Sequence, residues 1–264
     1  MCFVAVALNC HPDFPFIVAA NRDEYFARPS VEIHTWDTPV PIVAGKDLSA
    51  GGAWLGLSTD GSFAALTNCR SELVSSSRGE RSRGDLVRKF LEKDPEILGA
   101  IKNGDLQQDL RYGGFNLMTG NIKRLDIVSN TSRHTEKLVK GIKTLSNHVP
   151  ETAWPKTRFG KRKFQGIIDS NTNQNELQSG LFCFLTDSNP VDRVETLGDP
   201  SDHLKRVIFA RGEQYGTRAS TVIMVDTNLE ATITEKIFEP LGIQAKSHSI
   251  KLSLSVSSQD FDLT

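Results

Sequence analysis

Two apolar runs near the N-terminus decide the fold: Phe3-Val4-Ala5-Val6-Ala7-Leu8 and Phe16-Ile17-Val18-Ala19-Ala20. The turn-forming His11-Pro12-Asp13 lies between them. Each run has the length of a strand and is far shorter than the roughly 20 residues a membrane span requires. Joined by a short polar connection, they predict a β-hairpin. The first run shows no alternation of apolar and polar residues, the pattern of a strand covered on both faces. Such a hairpin needs structure above and below it.

Working outward, further strands are predicted at 42–44, 54–58 and 63–67, with Asp60-Gly61 turning the last two into a second hairpin. A helix is predicted over 85–93, placing Leu86, Val87, Phe90 and Leu91 on one face. Strands follow at 115–119, 125–128 and 143–146. A second helix is expected over 174–185. A third opens at Ser201-Asp202, carries Leu204, Val207 and Ile208, and stops at Gly212. Strands at 220–225, 231–235 and 249–256 close the chain. The order is strands, helix, strands, helices, strands, without regular βαβ alternation. This predicts an α+β fold of layered antiparallel sheets sandwiched by helices, in one domain over 1–264.

Composition narrows the function. The 264 residues carry 31 Lys+Arg against 32 Asp+Glu, a net charge of −1. A nucleic-acid partner is therefore not expected, because phosphate contacts need a basic excess. Four cysteines, at 2, 10, 69 and 183, are too few for a disulfide framework, and none are paired as C-x-x-C. The N-terminus lacks the charged n-region of a signal peptide. An intracellular, cytoplasmic protein is expected, with mitochondrial association if the source is eukaryotic. The six histidines show neither H-x-x-x-H nor H-E-x-x-H spacing, so no metal site is expected. No phosphate loop, dinucleotide fingerprint or G-x-S-x-G elbow is present.

Four features could carry chemistry. Cys2 becomes a thiol and a free α-amine on one residue if Met1 is removed. That amine, with an ordinary pKa of about 7.7–8.0, can serve as base for its own thiol. Cys2 also fits a small buried hydrophobe. Asn21-Arg22-Asp23-Glu24 follows the second apolar run directly. Arg22 could hold a substrate carboxylate and Asp23 could orient the Cys2 amine; a solvated turn is the alternative. Asn68 and Asn147 follow predicted strands, where an amide can donate to an oxyanion or simply turn the chain. Arg218 leads into the strand at 220–225 and could bind an anionic group. The stretch 70–83 carries Arg70, Arg78, Arg81 and Arg83 and reads as a loop or a lid over an anionic ligand.

Met1-Cys2-Phe3 followed by Ala20-Asn21-Arg22-Asp23-Glu24 resembles the NRDE protein family, whose animal members are the transport-and-Golgi-organisation proteins. Further matches are Ala53-Trp54-Leu55-Gly56, Leu66-Thr67-Asn68, Leu145-Ser146-Asn147 with Trp154-Pro155-Lys156, and Tyr215-Gly216-Thr217-Arg218. The resemblance implies an N-terminal-nucleophile hydrolase-like fold, a four-layer αββα sandwich. A more distant resemblance to the choloylglycine hydrolase and penicillin V acylase group implies roles. Cys2 matches the nucleophile, and Arg22 and Asp23 match an early pair. Asn68 and Asn147 match oxyanion and binding asparagines, and Arg218 matches a late arginine. That group separates its early pair by two residues, and Tyr25 stands here where its carboxylate would fall. Adjacent strand residues face opposite ways, so only one of Arg22 and Asp23 is expected to reach Cys2.

Two functions of different classes follow. One is hydrolysis of a linear amide or thioester by Cys2. Its catalytic set is Cys2, Arg22, Asp23, Asn68, Asn147 and Arg218, with Asn21, Glu24 and Arg70 expected on the ligand. The other uses the same cleft without turnover, to bind or carry haem or an acyl-CoA or other lipid, as the NRDE resemblance implies. No cofactor is required; haem would be cargo.

Overall fold

In the computed structural model, β1 (Phe3–Leu8) pairs antiparallel with β2 (Phe16–Tyr25), Phe3 opposite Asn21 and Leu8 opposite Phe16. The residues described are 2–69, 79–132, 135–150, 152–192 and 200–256. Every residue of β1 is buried, as its unbroken apolar run requires. The second strand runs through Asn21-Arg22-Asp23-Glu24, so this tetrapeptide is strand and not turn. It is held there by β11 (Tyr215–Val225), which pairs along the full length of β2.

Two antiparallel sheets organise the chain. The first has the order β10-β1-β2-β11-β12-β13, with β10 at Gly141–Ser146, β12 at Glu230–Glu239 and β13 at Ile243–Ser253. The second is a meander, β3 through β9 in order. Its strands are β3 (Ser30–Trp36), β4 (Ile42–Asp47), β5 (Leu55–Ser58), β6 (Ser62–Asn68), β7 (Phe115–Asn121), β8 (Arg124–Ser129) and β9 (Thr135–Leu138).

Strand alternation explains the three apolar clusters. Val4, Val6, Phe16, Val18 and Ile223 of the first sheet share a cluster with Val43, Leu57, Phe63, Met118 and Ile127 of the second. The opposite face of β1 and β2 presents Phe3, Ala5, Ala7, Ile17 and Ala19. These pack with Phe164 and Ile168 of α3 (Pro155–Ser170) and Leu177, Leu181 and Leu185 of α4 (Gln174–Leu185). A third cluster joins Ala44, Ala64, Leu66, Phe115 and Leu117 to Leu86, Val87, Phe90 and Leu91 of α1 (Arg83–Leu91) and to Ile97 of α2 (Pro95–Asn103).

The structure corrects several expectations. Residues 201–212 are not an α-helix. A 3-10 turn covers Pro200–Lys205, and Val207, Ile208, Phe209 and Ala210 continue as buried irregular chain. The carbonyls of Ile208 and Ala210 are taken by Asn21 and by the Thr217 N–H, bonds a helix would not leave available. Helix α3 was not expected from the sequence, since its buried face mixes Lys156, Thr157 and Gly160 with Phe164 and Ile168, which blurs the apolar period. Strand β13 begins at Ile243, six residues before the expected start, and is mostly exposed. The strand β3, with only Ile33 and Trp36 buried, carried too weak an apolar pattern to be expected.

Candidate active site

Cys2 immediately precedes β1, beside the ends of strands from both sheets. Its carbonyl accepts a 2.6 Å bond from Ser146 Oγ at the end of β10. The carbonyl of Ser146 in turn accepts from Thr67 Oγ1 of β6 at 2.8 Å and from Asn116 Nδ2 of β7 at 3.0 Å. Asn116 Nδ2 also reaches the carbonyl of His148 at 2.8 Å. The second sheet thus clamps the strand that clamps Cys2. His148 is buried, and its Nδ1 lies 2.7 Å from the Val149 carbonyl, which can only accept. The proton is therefore assigned to Nδ1, and Nε2 keeps its lone pair. Burial pushes the imidazole below its ordinary pKa, favouring this neutral form. Asn116 Oδ1, Asn147 Oδ1 and His148 Nε2 are buried acceptors with no hydrogen-bond partner among the described residues.

Arg22 and Asp23 diverge as strand geometry demands. Arg22 reaches across to the second sheet and bonds Asp47 Oδ2 at 3.3 Å. Arg28 binds the same carboxylate at 2.5 and 3.2 Å, and Glu24 sits 3.8 Å from Arg28. Burial works against the Asp47 charge, but the Arg28 bonds hold its carboxyl below the usual range. Asp23, 5% exposed, accepts a 2.7 Å bond from Thr217 Oγ1. Its backbone carbonyl lies 3.9 Å from Cys2 Sγ and accepts from Tyr215 Oη at 3.3 Å. Burial pushes the Cys2 thiol up; Asp23 adds to this and Arg22 opposes it. So although only Asp23 places its backbone against the sulfur, both charges act on Cys2.

Lys156 was legible only as part of a motif. It lies in the first turn of α3 and is 0% exposed. Burial pushes its pKa down, while Asp23 and Cys2 favour its charge. Its Nζ stands 5.9 Å from the Trp154 ring, which also packs on His148 at 5.4 Å.

The remaining expected residues fall in different places. Asn21 is not free to meet a ligand. It is fully buried, donates to the carbonyls of Leu185 and Ile208 at 2.7 and 2.9 Å, and accepts from Ser220 Oγ at 2.6 Å. It faces the helices because it alternates with Arg22. Glu24 accepts from the Tyr25 N–H and lies beside Arg22 and Arg28. Arg218 occupies a register shift between Thr217 and Ala219 and donates to the carbonyls of Tyr25 and Arg28, bracing the connection after β2. Asn68 is exposed at the end of β6, and Asn147 is half-buried after β10. Each follows one member of the bonded Thr67–Ser146 pair, so both lie at the Cys2 end of their sheets. Arg70 lies outside the described residues, as does most of the 70–83 stretch.

The profile described as Transport and Golgi organisation 2 matches residues 1–240. The chain belongs to this family. The Transport and Golgi organization protein 2 homolog of Bos taurus is 30% identical over 277 residues, 96% of this chain and 99% of that one. The Homo sapiens homolog is 32% identical over 259 residues, 89% of this chain and 92% of that one. Among solved structures, penicillin V acylase from Agrobacterium tumefaciens matches with a TM-score of 0.50 at 11% identity, covering 100% of this chain and 88% of that one. At that identity the likeness is one of fold alone. Within this fold Cys2 immediately precedes the first strand. Among the described residues no helix is long and apolar enough to cross a membrane, and no group of three or more His, Cys, Asp or Glu side chains could hold a metal ion.

Proposed function

We propose that this family member is an N-terminal-nucleophile hydrolase that cleaves a linear amide or thioester through Cys2. The three apolar clusters fit a four-layer αββα sandwich, with α1 and α2 outside one sheet and α3 and α4 outside the other. The observation that carries the functional reading is the meeting at Cys2 of groups from four elements. Ser146 fixes its carbonyl, Asp23 lies at its sulfur, Thr217 orients Asp23, and buried Lys156 acts on both. Titratable groups shifted by burial and by a specific charge partner mark functional sites.

In this mechanism, removal of Met1 frees the Cys2 α-amine. The amine accepts the thiol proton as the sulfur attacks the substrate carbonyl carbon. The carbonyl π electrons move to oxygen, and Asn147 Nδ2, Asn68 Nδ2 or a backbone N–H receives the oxyanion. Collapse breaks the C–N or C–S bond, and the leaving amine or thiol takes the proton. Water, deprotonated by the same amine, then attacks the acyl-Cys2 thioester and releases the acid. Arg22 and Arg218 lie on the Asp47 side, where their charge suits an anionic end of the substrate.

The test is turnover of a panel of N-acyl amides and acyl thioesters by the wild type and by Cys2→Ala. Hydrolysis lost in the variant supports the reading. Binding of acyl-CoA or haem without turnover, unchanged in Cys2→Ala, would replace it with a carrier function.

A further inference from the structure

The mechanism above gives the buried Lys156 no step of its own. Helix α3 crosses the first sheet at close range. Thr144 Oγ1 of β10 donates to the Thr157 carbonyl at 3.2 Å, and a Cβ on Gly160 would stand 2.6 Å from the Phe3 ring. Lys156 lies one turn before Gly160 on the same face, as Cys2 lies one residue before Phe3. The helix therefore brings its lysine to the nucleophile end of β1. A lysine with no exposure is held at a cost unless its charge is paired and hydrogen-bonded. The acids that favour its charge are Asp23 and Cys2.

We propose that Lys156 is the buried cation of the site, a positioning residue that holds the Cys2 sulfur as thiolate in competition with the Asp23 carboxylate. This rests on the N-terminal-nucleophile reading of Cys2. Burial works against the Lys156 charge while Asp23 and Cys2 favour it; in this role Lys156 transfers no proton and complements the α-amine, which accepts and returns one. With substrate absent, Asp23 balances Lys156; when the thiol proton passes to the α-amine, the sulfur shares that balance. Other charges also face this space. Arg22 of β2 acts on the sulfur, and Lys143 of β10 and Lys156 both act on His148. Lys205 shares the Trp154 ring, at 5.8 Å, and is paired with Asp202. None of them is fully buried as Lys156 is.

The experiment is the pH profile of Cys2 alkylation by iodoacetamide, read on the Cys2 peptide by mass so that Cys10, Cys69 and Cys183 do not contribute. Lys156→Met keeps the packed stem and removes the charge. Its profile should move up by about one pH unit, which makes alkylation at pH 7 about tenfold slower. Lys156→Arg should stay within about half a unit of wild type. Asp23→Asn should move the profile the other way, because it leaves Lys156 to the sulfur alone and keeps an acceptor for Thr217. An unmoved profile in folded Lys156→Met overturns the proposal. If that variant does not fold, Asp23→Asn carries the test, and an unchanged or raised midpoint overturns it. Alkylation reads the charge of the thiol and needs no turnover. Shifts as stated with no substrate cleaved would sink the hydrolase reading and leave Lys156 its role. Wild-type turnover with an unmoved profile in Lys156→Met would do the reverse.

Discussion

Asn21, Arg22 and Asp23 are neighbours in sequence and do unrelated work. Alternation on β2 sends Asn21 to the helices, Arg22 to Asp47 on the other sheet, and Asp23 to Thr217. The tetrapeptide at 21–24 is therefore part fold and part site. Replacing Asn21 by Ala strands the carbonyls of Leu185 and Ile208 and the Ser220 hydroxyl in a buried setting. A loss of about 2–4 kcal/mol is expected in chemical denaturation, because unpaired buried polar groups carry their full desolvation cost. An Asn21→Ala protein of wild-type stability would return Asn21 to the ligand-contacting role. At this scale the sequence disclosed Cys2, by its place directly after the start methionine, and the polar end of β2, by its place directly after an apolar run. It did not disclose that Asn21 was spoken for, nor that Lys156 was buried. Both depend on residues more than 130 positions away coming into contact.

Among the elements, α3 carries the fully buried Lys156, whose charge is favoured by Asp23 and Cys2. Its two glycines separate close approach from simple helix propensity. At Gly160 a methyl group would meet the Phe3 ring at 2.6 Å, whereas at exposed Gly166 it would meet nothing within 4 Å. Gly160→Ala should destabilise by about 1–3 kcal/mol through overpacking. Gly166→Ala should stabilise by about 0.5–1 kcal/mol, because alanine loses less backbone entropy in a helix. Thermal melts of the two variants check both signs; equal shifts would mean that α3 does not press on β1. The hairpin of β1 and β2 was legible because β1 and the first five residues of β2 are buried on both faces and uniformly apolar. Helix α4 was legible from Leu177, Leu181, Phe184 and Leu185. Helix α2 carried its signals in plain form, with Asp94 capping the Ile97 N–H at 3.2 Å, Pro95 in the first turn and Gly104 at φ 76°. Its apolar stripe is weak, since Ile97 is its only buried residue.

Taken as a whole molecule, the two sheets are tied together by polar side chains as well as by apolar contact. Near Cys2 the ties are Thr67 and Asn116 on the Ser146 carbonyl. Elsewhere Glu235 of β12 accepts from the Ile33 N–H of β3 at 2.9 Å and from Thr221 Oγ1 at 3.2 Å. Burial pushes the Glu235 carboxyl up to about 7, with the Ile33 and Thr221 bonds and Arg22 opposing the rise. The sign follows from linkage. Between an unfolded pKa of about 4.3 and the folded value, the unfolded chain sheds its proton and the native protein holds it. The contribution of Glu235 is thus fully present below the unfolded pKa and lost as pH rises through 7. Glu235→Gln keeps an acceptor for Ile33 and removes the titration. It should raise stability by about 1–3 kcal/mol at pH 8 and leave it unchanged near pH 4. Melting curves at the two pH values decide this, and a gain of the same size at both would show that Glu235 does not titrate between them.

The proposed function turns on one atom, the sulfur of Cys2. The most direct test is intact mass followed by peptide mapping, after brief incubation of the native protein with a saturated-acyl thioester. The account predicts a chain that has lost Met1 and a transient acyl mass on the peptide beginning with Cys2. That mass should decay as free acid appears and be missing from Cys2→Ala. Retention of Met1, or acylation that falls only on other residues and persists in Cys2→Ala, would contradict it.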